Sequence, residues 1–320
     1  MWLNSKWFNY SLGTMLSFTG LLLGYKYLGN RLVLPPFIML FLFFFTVIPY
    51  VGHILAARYS LRLNFWAFFF VFIAAVFSYL GNIFYIESFN VSPNAGYVVA
   101  IVGSKAVVVT LLSVLLYRSH FGLLQFFGVC VCISGVIVLS WPTEEASTTE
   151  SSSGLGWIAY ALIANLCFAG MVLLYKKLGH TRVNGSLLPM PVTLFYLFGI
   201  GTILYFIHVS VLYFNSPDVV GNPAALLFNT SGVAIWMWVV IIATGVFMYV
   251  GNICFIKAVS MAPNPGYAVA IESTKAVLIA VASYFLFSDD LEWMHSAGVL
   301  LCVVGVTVIT QGEETEGAEE

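Results

Sequence analysis

Residues 92–105 read Ser-Pro-Asn-Ala-Gly-Tyr-Val-Val-Ala-Ile-Val-Gly-Ser-Lys, and residues 262–275 read Ala-Pro-Asn-Pro-Gly-Tyr-Ala-Val-Ala-Ile-Glu-Ser-Thr-Lys. The two stretches are copies at an offset of 170 residues, each ending on a lysine, Lys105 and Lys275. The match extends outward: Tyr79–Tyr117 lies on Tyr249–Phe287 with 17 of 39 positions identical, including Gly81-Asn82 against Gly251-Asn252. Further upstream, Tyr10–Asn30 matches Tyr160–His180 at an offset of 150, with ten of 21 positions identical. The chain is a duplication that takes in nearly all of both halves.

The solvent follows from composition. Hydrophobic residues make up 61% of the chain, charged residues only 8%, and the mean hydropathy is +0.97. A soluble domain carries about 25% charged residues, so these values describe an integral membrane protein. Runs such as Phe37–Val47 and Val98–Leu116 are apolar all round, not alternating. They suit helices crossing a core of about 30 Å, not the strands of a barrel. The pattern predicts an all-α membrane protein of ten spans: about 7–27, 34–57, 65–89, 95–117, 121–141, 155–178, 187–213, 233–260, 265–287 and 291–310.

The polar segment 143–154 separates these spans five and five. The expected organisation is a first five-helix repeat at 1–141, a linker at 142–154, a second repeat at 155–310 and an acidic, disordered tail at 311–320. Because each half has an odd number of spans, the second copy enters the membrane from the opposite side, which makes the repeat inverted. Basic residues set the orientation. With the N-terminus in the cytoplasm, Lys6, Arg58, Arg62, Arg118, Lys176, Lys177 and Arg182 fall on the cytoplasmic side, and only Lys26 and Arg31 fall outside. The reading is a multi-pass protein of the cell membrane with both termini cytoplasmic and the first span retained. Cys130, Cys132, Cys167, Cys254 and Cys302 all lie in predicted spans and read as packing residues.

Asn94 and Asn264 stand where N-caps belong, and Pro265 takes the first helical position, where its missing N–H costs nothing. Counted from Ala95, Lys105 is ten residues in, about 15 Å at 1.5 Å per residue, near mid-membrane; Lys275 has equal depth. A charge facing lipid there costs at least about 2.5–3.5 kcal/mol, so both lysines are expected to face the bundle interior. Glu272 shares a helical face with Lys275, three residues on, and Val102 holds the matching place in the first half. Two lysines and one glutamate favour an anionic group on a substrate, with Glu272 either neutralising Lys275 or Lys105 and so holding the two halves together, or serving in substrate binding or coupling. Asn82 and Asn252 are further substrate-binding candidates, balanced against helix–helix hydrogen bonding. Tyr97 and Tyr267, one turn inside the capped starts, are candidate gates or interfacial anchors. Glu87 and Lys257 lie nearer the helix ends and read as snorkelling side chains.

Gly128, Cys132 and Gly135 are matched by Gly298, Cys302 and Gly305, a small-residue stripe marking spans 5 and 10 as scaffold or homodimer contacts. Enzyme chemistry lacks its residues: the spans hold no aspartate, no His-Glu-x-x-His and no serine with a partnering base. The five histidines are scattered, and no metal, cofactor or nucleic-acid site is indicated.

With ten spans, a five-plus-five repeat, the Pro-Asn-x-Gly-Tyr turns of spans 4 and 9 and glycine-rich spans 5 and 10, the chain resembles the drug/metabolite transporter superfamily, in particular its EamA-like branch. That resemblance implies a cavity walled by spans 1–4 and 6–9, alternating access, and spans 5 and 10 as supports. Lys105 and Lys275 are similar in placement to the basic residues of triose-phosphate-type relatives. The chain departs from them at Ala276, where a second basic residue is usual, and from the EamA pattern at Arg118-Ser119, where a glutamate is usual. The expected function is secondary active transport of a small anionic or zwitterionic metabolite, such as an amino acid, organic acid or phosphorylated compound. The alternatives are a channel or scaffold, or a carrier of neutral or cationic compounds with structural lysines.

Overall fold

The computed structural model describes residues 6–29, 35–92, 94–117, 122–139, 156–183, 185–215, 232–262, 265–289 and 292–311. The expected cap Asn264, the linker, the acidic tail beyond Gln311, Arg31 and Arg118 lie outside them. The described chain is helical: α1 (Lys6–Gly29), α2 (Pro35–Ala57), α3 (Phe65–Val91), α4 (Ala95–Gly103), α5 (Lys105–Tyr117), α6 (Leu123–Leu139), α7 (Gly156–Gly179), α8 (Met190–Asn215), α9 (Gly232–Met261), α10 (Pro265–Ser273), α11 (Lys275–Phe287) and α12 (Trp293–Gln311). A two-stranded hairpin, Arg182–Val183 with Ser186–Leu187, joins α7 to α8. It turns at Gly185, whose φ of 83° a side chain would disfavour.

Seven helical stretches are long and apolar enough to cross a membrane, with α4–α5 and α10–α11 each counting as one, and α6 and α12 contain shorter apolar helices. Large apolar side chains cover the outer faces: Trp66 is 63% exposed, Phe206 62% and Phe214 80%. Such surface is untenable in water and ordinary in lipid. The protein is a multi-pass all-α membrane protein.

Polar residues are turned inward instead, among them Thr46, Asn82, Lys105, Thr110, Asn165, Thr244, Asn252, Glu272 and Lys275. Helix pairing is reciprocal. The chief contacts are α1 with α9, α3 with α7, α2 with α8 and α6 with α12. Glycines make these contacts close: a Cβ on Gly81 would stand 2.8 Å from the Phe168 ring, and one on Gly251 would stand 2.5 Å from the Phe18 ring. The small-residue stripes of α6 and α12 meet each other, since a Cβ on Gly135 would lie 2.6 Å from the Cys302 nitrogen and one on Gly305 2.7 Å from the Gly128 oxygen. That face is therefore used within the chain, and a second copy would have to meet other faces of these helices. All five cysteines are free thiols.

Two histidines read from sequence as scattered are in fact matched. His53 Nδ1 lies 2.9 Å from the Tyr249 hydroxyl, and His208 Nδ1 lies 2.8 Å from the Tyr79 hydroxyl. Beside them, the Tyr50 and Tyr205 hydroxyls donate to the carbonyls of Tyr249 and Tyr79. Each set pins α2 to α9 or α8 to α3. The sequence comparison passed over them because α2 and α8 share little identity.

Candidate functional site

α4 and α10, which open the fourth and ninth spans, start on the residues expected to open them. Asn94 accepts the Gly96 N–H at 2.7 Å, an N-cap, and Pro265 opens α10. Neither rod then runs on unbroken. Ser104 turns its hydroxyl onto the Ile101 carbonyl at 2.6 Å while its N–H serves both Ala100 and Ile101. Thr274 likewise bonds the Ile271 carbonyl at 2.7 Å. A hydroxyl drawing on a carbonyl three residues back tightens the turn and interrupts the regular ladder. The interruptions stand one residue before Lys105 and Lys275, so each lysine opens a new helical segment. Nothing in the apolar pattern marked them beforehand. The polar Ser-Lys and Thr-Lys steps inside apolar runs are the signal that was present.

Neighbouring helices support the breaks. Asn165 of α7 donates to the Ile101 carbonyl at 2.8 Å and to the Ser104 hydroxyl at 2.7 Å; on the other side the Thr274 hydroxyl meets the Met15 sulfur at 3.0 Å. The broken rods touch where Ser273 donates to the Gly103 carbonyl at 2.9 Å. These residues are 170 apart, the repeat offset itself.

Both lysines face the interior, as their depth demanded. Lys105 and Lys275 are 6% and 3% exposed and Glu272 is 2% exposed. Glu272 bridges them: Lys105 Nζ donates to Oε2 at 3.0 Å, and Lys275 Nζ pairs with Oε1. Lys275 also stands 5.7 Å above the Phe18 ring.

The three line a cavity of about 90 Å³, measured as space open to the centre of a water molecule. Around them stand Leu21 and Met171, Tyr25 and Tyr175, Ser78 and Met248, Asn82 and Asn252, Phe18 and Phe168, and Tyr85 and Phe255. Each pair holds equivalent places in the two halves. Asn82 donates to the Ser78 carbonyl at 2.7 Å and Asn252 to the Met248 carbonyl at 2.8 Å, so both asparagines are tied to their own helices while facing the cavity. The aromatic pairs were not singled out from sequence, although Tyr25-Lys26 and Tyr175-Lys176 were visible as a repeated dipeptide.

Tyr97 and Tyr267 are placed elsewhere. Both are 1% exposed and neither lines the cavity. Tyr97 stacks on His295, with ring centroids 4.9 Å apart, and its hydroxyl accepts the Glu292 N–H at 3.0 Å. It therefore ties the start of α4 to the start of α12, where burial and a tertiary hydrogen bond replace the interfacial position of a tyrosine anchor. Lys257 lies over the Tyr10 ring at 5.1 Å.

No family model matches the sequence, and no curated protein matches it. The fold is shared with a solved crystal structure at a TM-score of 0.62 and 14% identity, covering 93% of this chain and 97% of that one.

Proposed function

We propose that the chain is a secondary active carrier of a small metabolite with an anionic group, working by alternating access between two inverted five-helix halves in the manner of the drug/metabolite transporters it resembles. The observation that carries this reading is the cavity's composition. Most of its lining residues come in pairs separated by the repeat offsets of 150 and 170, and its charged groups among the described residues are two buried lysines sharing one carboxylate. Carriers place their sites at the repeat interface, beside interrupted helices, so that the same groups serve both faces. The reciprocal pairings of α1 with α9 and α3 with α7 support the two-fold relation. The partners are the bilayer and a small-molecule substrate.

Reconstitution into liposomes tests it. The protein should show saturable counterflow with at least one compound from a panel of amino acids, organic acids, sugar phosphates, nucleobases and amines. The Lys105→Met/Glu272→Gln/Lys275→Met variant, which removes all three charges together, should lose that flux. Unsaturable flux would mark a channel, and no flux a scaffold. Unchanged flux in the variant would make the lysines structural and move the search to Asn82 and Asn252.

A further inference from the structure

The three charges of the cavity do not balance, and the way they are paired says which one is free to change partner. Glu272 and Lys275 lie three residues apart on α10 and α11, so their contact is internal to the second half. The contact of Glu272 with Lys105 joins residues 167 apart, one from each half. The remaining titratable lining groups are the phenols Tyr25, Tyr85 and Tyr175, uncharged at neutral pH. His295, on the adjoining α12, is turned to Glu292 at 2.9 Å and to Tyr97. With both lysines protonated, Lys105, Lys275 and Glu272 leave one positive charge in excess.

Resting on the carrier reading above, we infer that this site takes a monocarboxylate with a compact apolar body, that Lys105 receives the carboxylate, and that Glu272 stays with Lys275. The exchange leaves no buried charge alone. Lys105 trades one carboxylate for another, Lys275 keeps its own, and the cavity becomes neutral. A dianion such as a phosphate monoester would leave the site one charge negative, and an amine would raise it to two positive. A neutral compound or zwitterion would leave the original excess. Unbalanced charge away from water is what such a site disfavours. The rest of the wall is aliphatic side chains and rings, among them Phe18, Phe168, Phe198 and Phe255, with Asn82, Asn252, Ser78 and the phenol hydroxyls as the other polar groups. A single water needs at least about 10–15 Å³ of such space, so about 90 Å³ admits a molecule of several non-hydrogen atoms. That is the size of a short-chain or single-ring acid.

The test is ligand-induced thermal stabilisation of the full-length protein in nanodiscs at neutral pH, with butyrate, benzoate, benzamide, benzylamine and phenyl phosphate as probes. Binding to the folded state raises the melting temperature with ligand concentration. Expected is stabilisation by butyrate or benzoate at millimolar concentration, with the other three inactive tenfold higher. Glu272→Gln adds one positive charge and should move the benzoate-to-phenyl-phosphate preference at least tenfold toward the dianion. Val102→Glu copies the second half's carboxylate into the first and should abolish the response to benzoate. Each ratio is read within one variant, so a change in folding stability does not imitate it. A wild type that prefers the amine, the amide or phenyl phosphate, or that ignores both acids, overturns the inference, as does an unchanged ratio in Glu272→Gln. The carrier reading fails separately. Benzoate binding by the charge rule without counterflow would sink transport and leave the charge rule standing, whereas lysine-dependent counterflow of a phosphate or amine would do the reverse.

Discussion

Glu272 is where the two-fold match of the cavity breaks, since Val102 holds its place in the first half. A single carboxylate serves two ammonium groups: remove it and both lysines lose the acidic partner they share. Breaking a buried pair by deleting one member costs about 3–5 kcal/mol, whereas replacing all the charges with well-packed neutral groups is near neutral. Glu272→Gln should therefore melt well below the wild type. The Lys105→Met/Glu272→Gln/Lys275→Met variant should recover most of the loss, as read by thermal unfolding in detergent. If the single and triple variants melt alike, the bridge contributes little. The residues of this triad were legible from sequence because a charge at mid-membrane has so few permitted places. Their sharing of one carboxylate was not, because nothing in a linear pattern says which of two lysines, 170 positions apart, a glutamate will meet.

Helices also approach closely where the duplicated turn begins. A Cβ on Gly96 would lie 2.7 Å from the Ala280 backbone nitrogen, so α4 and α11 leave no room for a methyl group, while Gly199 of α8 has nothing within 4 Å of the same atom. Gly96→Ala should destabilise by about 1–3 kcal/mol, the usual cost of overpacking. Gly199→Ala should be neutral or stabilising by up to about 1 kcal/mol, because alanine is the better helix former. Comparing the two melting temperatures checks both, and equal shifts would refute the close approach. The glycine of Pro-Asn-x-Gly-Tyr is thus a packing requirement as well as part of a turn. The interruptions at Ser104 and Thr274 belong to this scale too. Hydropathy reads 95–117 and 265–287 as single rods, since a hydroxyl that bonds its own backbone hardly changes the apolar average.

The C-terminal ends of α1 and α7 are each held by a lysine. Lys26 Nζ lies 3.3 Å from Asp289 Oδ1, and the other Asp289 oxygen accepts the Ala95 N–H at 3.4 Å, tying α1 and the start of α4 to the end of α11. The equivalent Lys176, at the end of α7, donates to the Ala262 carbonyl at 3.3 Å. Position 119, which matches Asp289, is serine. Asp289→Asn should loosen the hold of α1 on the end of α11. The expected readout is faster alkylation of a cysteine placed at Ser78 in the cavity wall, from the Lys26 side, in a background free of the native cysteines. An unchanged rate would mean that this pair does not hold the end of α1.

Sequence by itself determined the solvent, the helical class, the duplication and the inward lysines, because each rests on a property that survives projection onto a line: average polarity, period, identity at a fixed offset, and the cost of charge in lipid. Capping by Asn94 was legible for the same reason, being local. The tertiary structure decided what the interior does with these parts. It brought Tyr25, Tyr85 and Tyr175 to one wall, drew Tyr97 away to His295, matched His53 and His208 with tyrosines, and let Glu272 bridge the halves. Those outcomes depend on which helix faces which, and in a nearly all-apolar chain that choice is made by shape, by glycines admitting neighbouring backbones and rings, and leaves little trace in polarity.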